Sequence, residues 1–143
     1  MSVPESFESP KRSDDRSDAR EQALIALYES EQRGISLVET MQDRPKSTED
    51  LARFIVMGVA ENAKDIDALI TTHSKGWALD RMPALDRAIL RMGVFELLRR
   101  TDTPIAVVID EAVELAKRFS TDDSGRFVNG VLAAVARASR PAD

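Results

Sequence analysis

"TPIAVVIDEAVELAKRF", residues 103–119, decides the fold. Its first five apolar residues, "IAVVI", pass as a short buried strand when read alone. The longer window does not. Ile105, Ile109, Ala112, Leu115 and Phe119 recur at three- and four-residue spacing, which places them on one face of a helix. Thr103 supplies an N-cap, and Pro104 sits at the first helical position, where its missing N–H costs nothing.

Working outward, the same period recurs and period two never persists. "PALDRAILRMGVFELLRR" carries Leu85, Ile89, Met92 and Phe95 on one stripe, and "DSGRFVNGVLAAVARAS" turns Phe127, Val131, Leu132 and Val135 inward. Upstream, "STEDLARFIVMGVAENAKDIDALITTH" places Leu51, Ile55, Val59, Asn62, Ile66 and Leu69 on one face of a single long helix. A Ser47-to-Asp50 capping pattern starts that helix, and "SKGWALDRM" ends it with Gly76 as the stop. "ISLVETM" makes a short helix and "QDRPKS" a turn. The first helix runs from about Asp15 to Arg33, with Gly34 at C′. Residues 1–13, rich in Pro, Ser and charge, read as a flexible tail ahead of one domain over 14–143. The expected fold is all-α, with six or seven helices in two small bundles. Gly58, Gly93 and Gly130 each cost about 1 kcal/mol in a helix relative to Ala, so close helix–helix approach is expected at all three.

Composition narrows the function. The 143 residues carry a net charge of −5, which gives no global sign of nucleic-acid binding, so such a role needs a local basic patch. Cysteine is absent, which excludes thiol chemistry and disulfides and fits a cytoplasmic address. No apolar run is long enough to span a membrane, and the N-terminus lacks the apolar core of a secretory signal. His73, the single histidine, lies at a helix end, where a capping or exposed role is ordinary. With no phosphate-cradling glycine loop, no metal cluster and no triad, neither a cofactor nor an enzyme is expected.

Four stretches, "AREQALIALYESEQRG", "GVAENAKDIDALI", "LDRAILRMGVFELL" and "VIDEAVELAKRFSTDDSGRFVNGVL", resemble the NusB transcription antitermination family in order and spacing from about residue 16 to 135. The last block is the most specific. The same fold also occurs in front of RNA cytosine methyltransferases; no catalytic domain follows here, so the free-standing factor is the closer match. The resemblance implies two helical subdomains and binding of boxA RNA in nascent transcripts, ribosomal ones above all. It also implies a small-subunit ribosomal protein, NusE, as partner, within an elongation complex holding other Nus factors and RNA polymerase.

Residue by residue, the resemblance assigns RNA contacts to Arg16 and Arg20, to Tyr28, and to Asp123, Ser124 and Phe127; Asp86 is assigned to the ribosomal-protein surface. Ser17 and Asp18 stand where relatives are commonly basic, which implies weaker RNA binding. Losing that binding altogether would leave a protein–protein interaction module. Helical faces left over can be covered by the partner or by a second copy in a homodimer.

Each assignment has a plain structural counterpart. Arg16 and Arg20 lie one turn apart on the side of Ala23, Leu24 and Leu27, either meeting phosphate or laying their stems on the core edge. Asp14, Asp15 and Asp18 suit the positive end of a helix. Tyr28 and Phe127 either pack or stack on a base, and Asp123 and Ser124 either cap the last helix or meet RNA. With Lys11 and Arg12 added, the arm offers a few phosphate contacts, or a log–log salt slope of about −2 to −3.

Overall fold

A computed structural model describes residues 15–42, 44 and 50–140. The tail over 1–13, Lys11, Arg12, Asp14, Ser47 of the capping pattern and most of the "QDRPKS" turn lie outside them. Seven α-helices make up the described chain: α1 Asp15–Arg33, α2 Leu37–Gln42, α3 Asp50–Glu61, α4 Ala63–His73, α5 Ala84–Arg99, α6 Ile105–Phe119 and α7 Asp122–Ser139. A 3-10 turn, Leu79–Arg81, precedes α5. Among the described residues there is no strand, and "IAVVI" is the first turn and a half of α6.

The helix ends follow the residues found there. Gly34 adopts φ 66°, and its N–H reaches Glu31 O at 3.3 Å while Ile35 N reaches Ser30 O at 3.2 Å. Those two bonds are the Schellman pair that satisfies the last carbonyls of α1. Ser36 and Glu39 close a capping box at α2, with Glu39 N donating to Ser36 Oγ at 3.0 Å and Ser36 N to Glu39 Oε1 at 3.4 Å. α6 starts one residue later than its sequence suggests: Val107 and Val108 both donate to Pro104 O, so Pro104 and not Thr103 is the cap.

The long helix expected through residue 73 is two helices. The break is at Asn62, with φ −112° and ψ 20°. Its side-chain amide donates to Gly58 O at 2.8 Å, the same carbonyl that accepts the Asn62 backbone N–H at 3.0 Å. That carbonyl is shared between side chain and backbone at the residue where the helix is interrupted.

α5 is the hub. It is buried on nearly every side, through Ala88, Ile89, Leu90 and Met92–Leu97, and packs on α1, α3 and α4 as well as on α6 and α7. The two bundles therefore share one hydrophobic core. Close approach explains two of the three glycines at which it was expected, Gly58, Gly93 and Gly130. A Cβ at Gly58 would sit 2.2 Å from the Phe95 ring, and one at Gly93 would sit 2.7 Å from Leu132 Cδ1. Gly130 departs from expectation: nothing lies within 4 Å of where its Cβ would be, because it faces outward.

Arg140 closes the far end of α5. Its guanidinium donates to Leu97 O, Thr103 O, Glu96 O and Arg100 O at 2.7–3.1 Å. One fork thus gathers carbonyls from the last turn of α5 and the loop after it, at the helix end that favours a cation.

Candidate nucleic-acid interface

α1 carries the arginine motif, and its two arginines have opposite fates. Arg16 is exposed. Arg20, one turn on, faces the core with Ala23, Leu24 and Leu27 and retains only 3% of its exposure. Its Nε and Nη2 bind both carboxylate oxygens of Glu96, near the end of α5, at 2.8 and 2.9 Å. Glu96 also accepts from Arg100 at 2.9 Å, and Glu111 Oε1 lies 3.8 Å from Arg20 and accepts from Ser17 Oγ at 2.9 Å. Arg20 is thus corrected from a phosphate contact to an internal tie among α1, α5 and α6. Buried charges need such partners because their desolvation is costly.

Ser17 is buried with Arg20 and bonded to Glu111, so the serine that interrupts the basic run serves the core. Asp15 and Asp18 are exposed in the first turn of α1, where carboxylates meet the positive helix end. Tyr28 is 38% exposed on the flank of the same helix.

The start of α7 is a hydrogen-bonded knot. Thr121, rather than Asp123 or Ser124, is the N-cap, its Oγ1 accepting from Ser124 N at 3.0 Å. Ser124 Oγ donates to Asp86 Oδ2 at 2.8 Å and lies 2.9 Å from Ser120 Oγ. Asp86, in the first turn of α5, is 3% exposed and its Oδ1 has no hydrogen-bond partner. Both residues are corrected from surface contacts to buried ones. No cation neutralises Asp86 among the described residues; it lies in the first turn of α5 and is bonded to the first turn of α7, where helix dipoles favour negative charge.

Asp123 remains exposed and pairs with Arg126. Phe127 is half-buried, and its outer side meets Trp77, with ring centroids 5.7 Å apart and planes tilted by 49°. Trp77 is 52% exposed. Sequence reading passed over it, because it falls in the segment recognised only as the break after α4. The lone tryptophan directly after Lys75-Gly76 was the available signal.

His73 Nδ1 lies 2.9 Å from Leu69 O, an ordinary helix-end contact. A groove of about 890 Å³ opens between the end of α1, α2, α3, α4 and α5. Its floor is apolar, and Arg87 and Arg91 on its wall bind Glu31 and Asp67. Burial, then the neighbouring Arg91 charge, lowers the Arg87 pKa from the usual guanidinium value. None of the residues implied by resemblance lines that groove. Among the described residues, no three His, Cys, Asp or Glu side chains gather as metal ligands, and no helix is long and apolar enough to cross a membrane.

The NusB family model matches residues 17–137, nearly all of the described chain. The chain belongs to the NusB family. Its function is therefore transcription antitermination, in a family that is not enzymatic. It is 49% identical over 127 residues to the transcription antitermination protein NusB of Saccharopolyspora erythraea, covering 85% of this chain and 86% of that one. Among solved NusB structures, that from T. maritima superposes with a TM-score of 0.79 at 37% identity, covering 87% of this chain and 92% of the other. A structure of antitermination factors NusB and NusE in complex with dsRNA matches with a TM-score of 0.77 at 29% identity, covering 86% and 96%.

Proposed function

We propose that this NusB-family protein binds boxA RNA of nascent, chiefly ribosomal, transcripts together with NusE in the cytoplasm, and joins other Nus factors on elongating RNA polymerase. The observation that carries the RNA reading is the exposure of three family positions, Arg16 and Tyr28 on α1 and Asp123 on α7, with the half-buried Phe127 one turn beyond Asp123. They offer a phosphate contact, two aromatic faces and a carboxylate able to accept from a base amino group. A NusB relative solved with NusE and RNA supports the pairing of partners.

Arg20 leaves the phosphate tally, so binding by the chain alone is weak and the partner supplies the rest. Titration of labelled boxA RNA, with and without NusE, tests this. Binding with NusE at a log–log salt slope near −2 is expected, at roughly 0.7 per phosphate. Arg16→Ala should flatten that slope by about 0.7, whereas Tyr28→Ala should weaken binding with the slope unchanged. No RNA binding in either condition would refute the reading. Normal NusE binding to which RNA adds nothing would instead favour a protein-only module, for which the internal use of Ser17 and Arg20 is the supporting observation.

A further inference from the structure

We infer that Trp77 is a base-stacking residue of this protein, extending the α7 end of the RNA surface by one unpaired nucleobase held on the indole beside Phe127. The inference rests on the RNA reading above and adds to it a residue outside the positions that the family resemblance supplied.

The turn that carries Trp77 is built to hold it. α4 ends at His73, and the chain then passes through two residues of positive φ, Lys75 at 45° and Gly76 at 87°. Lys75 is the only described non-glycine residue in that region, a conformation that carries a steric cost. The turn is pinned from both sides. Trp77 N donates to Ser74 O at 3.3 Å, and the buried Ser74 donates through Oγ to Trp77 O at 2.8 Å. The 3-10 turn Leu79–Arg81 follows almost at once, and Arg87 Nη1 donates to Leu79 O at 3.1 Å and to Met82 O at 2.8 Å. Backbone on both sides of Trp77 is thereby tied to the body of the fold.

That rigidity is spent on leaving a large aromatic half in water. An indole is the most apolar surface a single residue can offer, and burial would be the stabilising use of it. Here one side leans on Phe127 and about half of the residue stays exposed. The indole N–H has no hydrogen-bond partner among the described residues and can donate to a base edge or a phosphate. Phe127 and Trp77 form a stepped pair of rings beside exposed Asp123, with exposed Lys75 two residues from the indole. A face of this kind takes a flat, unpaired base, since every base has a π-surface and needs no particular edge.

Trp77 is the only tryptophan in the chain, so its emission reports on this residue alone. The experiment titrates the NusE-bound protein with single-stranded boxA RNA, following tryptophan emission and the anisotropy of labelled RNA in parallel. Emission should be quenched with the same midpoint as binding. Trp77→Ala should weaken RNA binding by between about five- and about 150-fold, the range for one stacked base, without changing the salt slope. Trp77→Phe should keep most of the affinity. Trp77→Leu, which keeps an apolar contact for Phe127 but has no π-face, should bind like the alanine variant. RNA binding that leaves emission unchanged, or a leucine variant that binds like wild type, overturns the inference while the antitermination reading stands. Absence of RNA binding by the wild-type complex overturns both.

Discussion

Replacing Arg20 by alanine separates two roles that the arginine motif had combined. As a phosphate contact, its loss would flatten the salt dependence of RNA binding and leave the fold intact. The structure instead places its guanidinium against Glu96, two bonds at 2.8 and 2.9 Å with each side chain 3% exposed. Removing one member of such a pair leaves a buried charge, a cost of about 3–5 kcal/mol. Arg100 still donates to Glu96 Oε1 at 2.9 Å, so part of that charge remains balanced and the lower end, about 3 kcal/mol, is expected. In a chain of this length that lowers Tm by roughly 10 °C.

Urea denaturation at neutral pH measures the loss directly, provided wild type and variant share one m value. The double variant Arg20→Met with Glu96→Leu should recover most of it, because apolar replacements of a buried pair are often neutral or stabilising. At a temperature where the variant is folded, the salt slope of RNA binding should match wild type within about 0.2, where a lost phosphate contact would remove about 0.7. An Arg20→Ala protein within about 1 kcal/mol of wild type, or one whose slope falls by the full contact, would refute the internal assignment.

Other variants read the packing and the caps. Gly130→Ala, outward-facing in α7 with open space around it, should raise stability by about 0.5–1 kcal/mol, whereas Gly58→Ala should lower it by at least about 1–3 kcal/mol against the Phe95 ring; thermal denaturation of the pair gives the sign of each. Arg140→Lys should lose about 1.5–3 kcal/mol in urea despite keeping its charge, since an ammonium cannot span the four carbonyls of the α5 end and the α5–α6 loop. Thr121→Ala should cost about 1 kcal/mol by removing the cap of α7, with hydrogen exchange accelerated at Ser124 and Gly125 first.

The fold was largely legible because its signals are local. Periodicity marked every long helix, and Gly34 ended α1 at positive φ, as glycine allows, whereas α4 stops at His73 with Lys75 and Gly76 both at positive φ in the turn beyond it. The break at Asn62 was hidden, since the apolar stripe runs on through it and its marks are the non-helical dihedrals of Asn62 and its amide's bond to Gly58 O. The site was less legible, for a reason of distance along the chain. Arg20 looks like a surface cation until Glu96, 76 residues away, is placed against it. Asp86 looks like a surface carboxylate until Ser124, 38 residues away, donates to it. Charge and spacing within one helix do not reveal which polar side chains will be consumed by another helix.

Those two internal bonds bear on how the surface residues are held. Glu96 and Asp86 belong to the same helix, α5, one near its end and one in its first turn. Through Glu96 it grips α1 one turn beyond exposed Arg16; through Asp86 it grips α7 next to exposed Asp123 and one turn before Phe127. The polar residues that the resemblance assigned to contact are thus divided between a few that face solvent and others that fix the helices carrying them. A binding surface for a single-stranded ligand gains from such division, because the ordering cost of its own side chains is met before the ligand arrives. The thin basic arm of α1 is then less a lost site than one in which two of its positions, Ser17 and Arg20, hold the helix while Arg16 and Tyr28 remain outside.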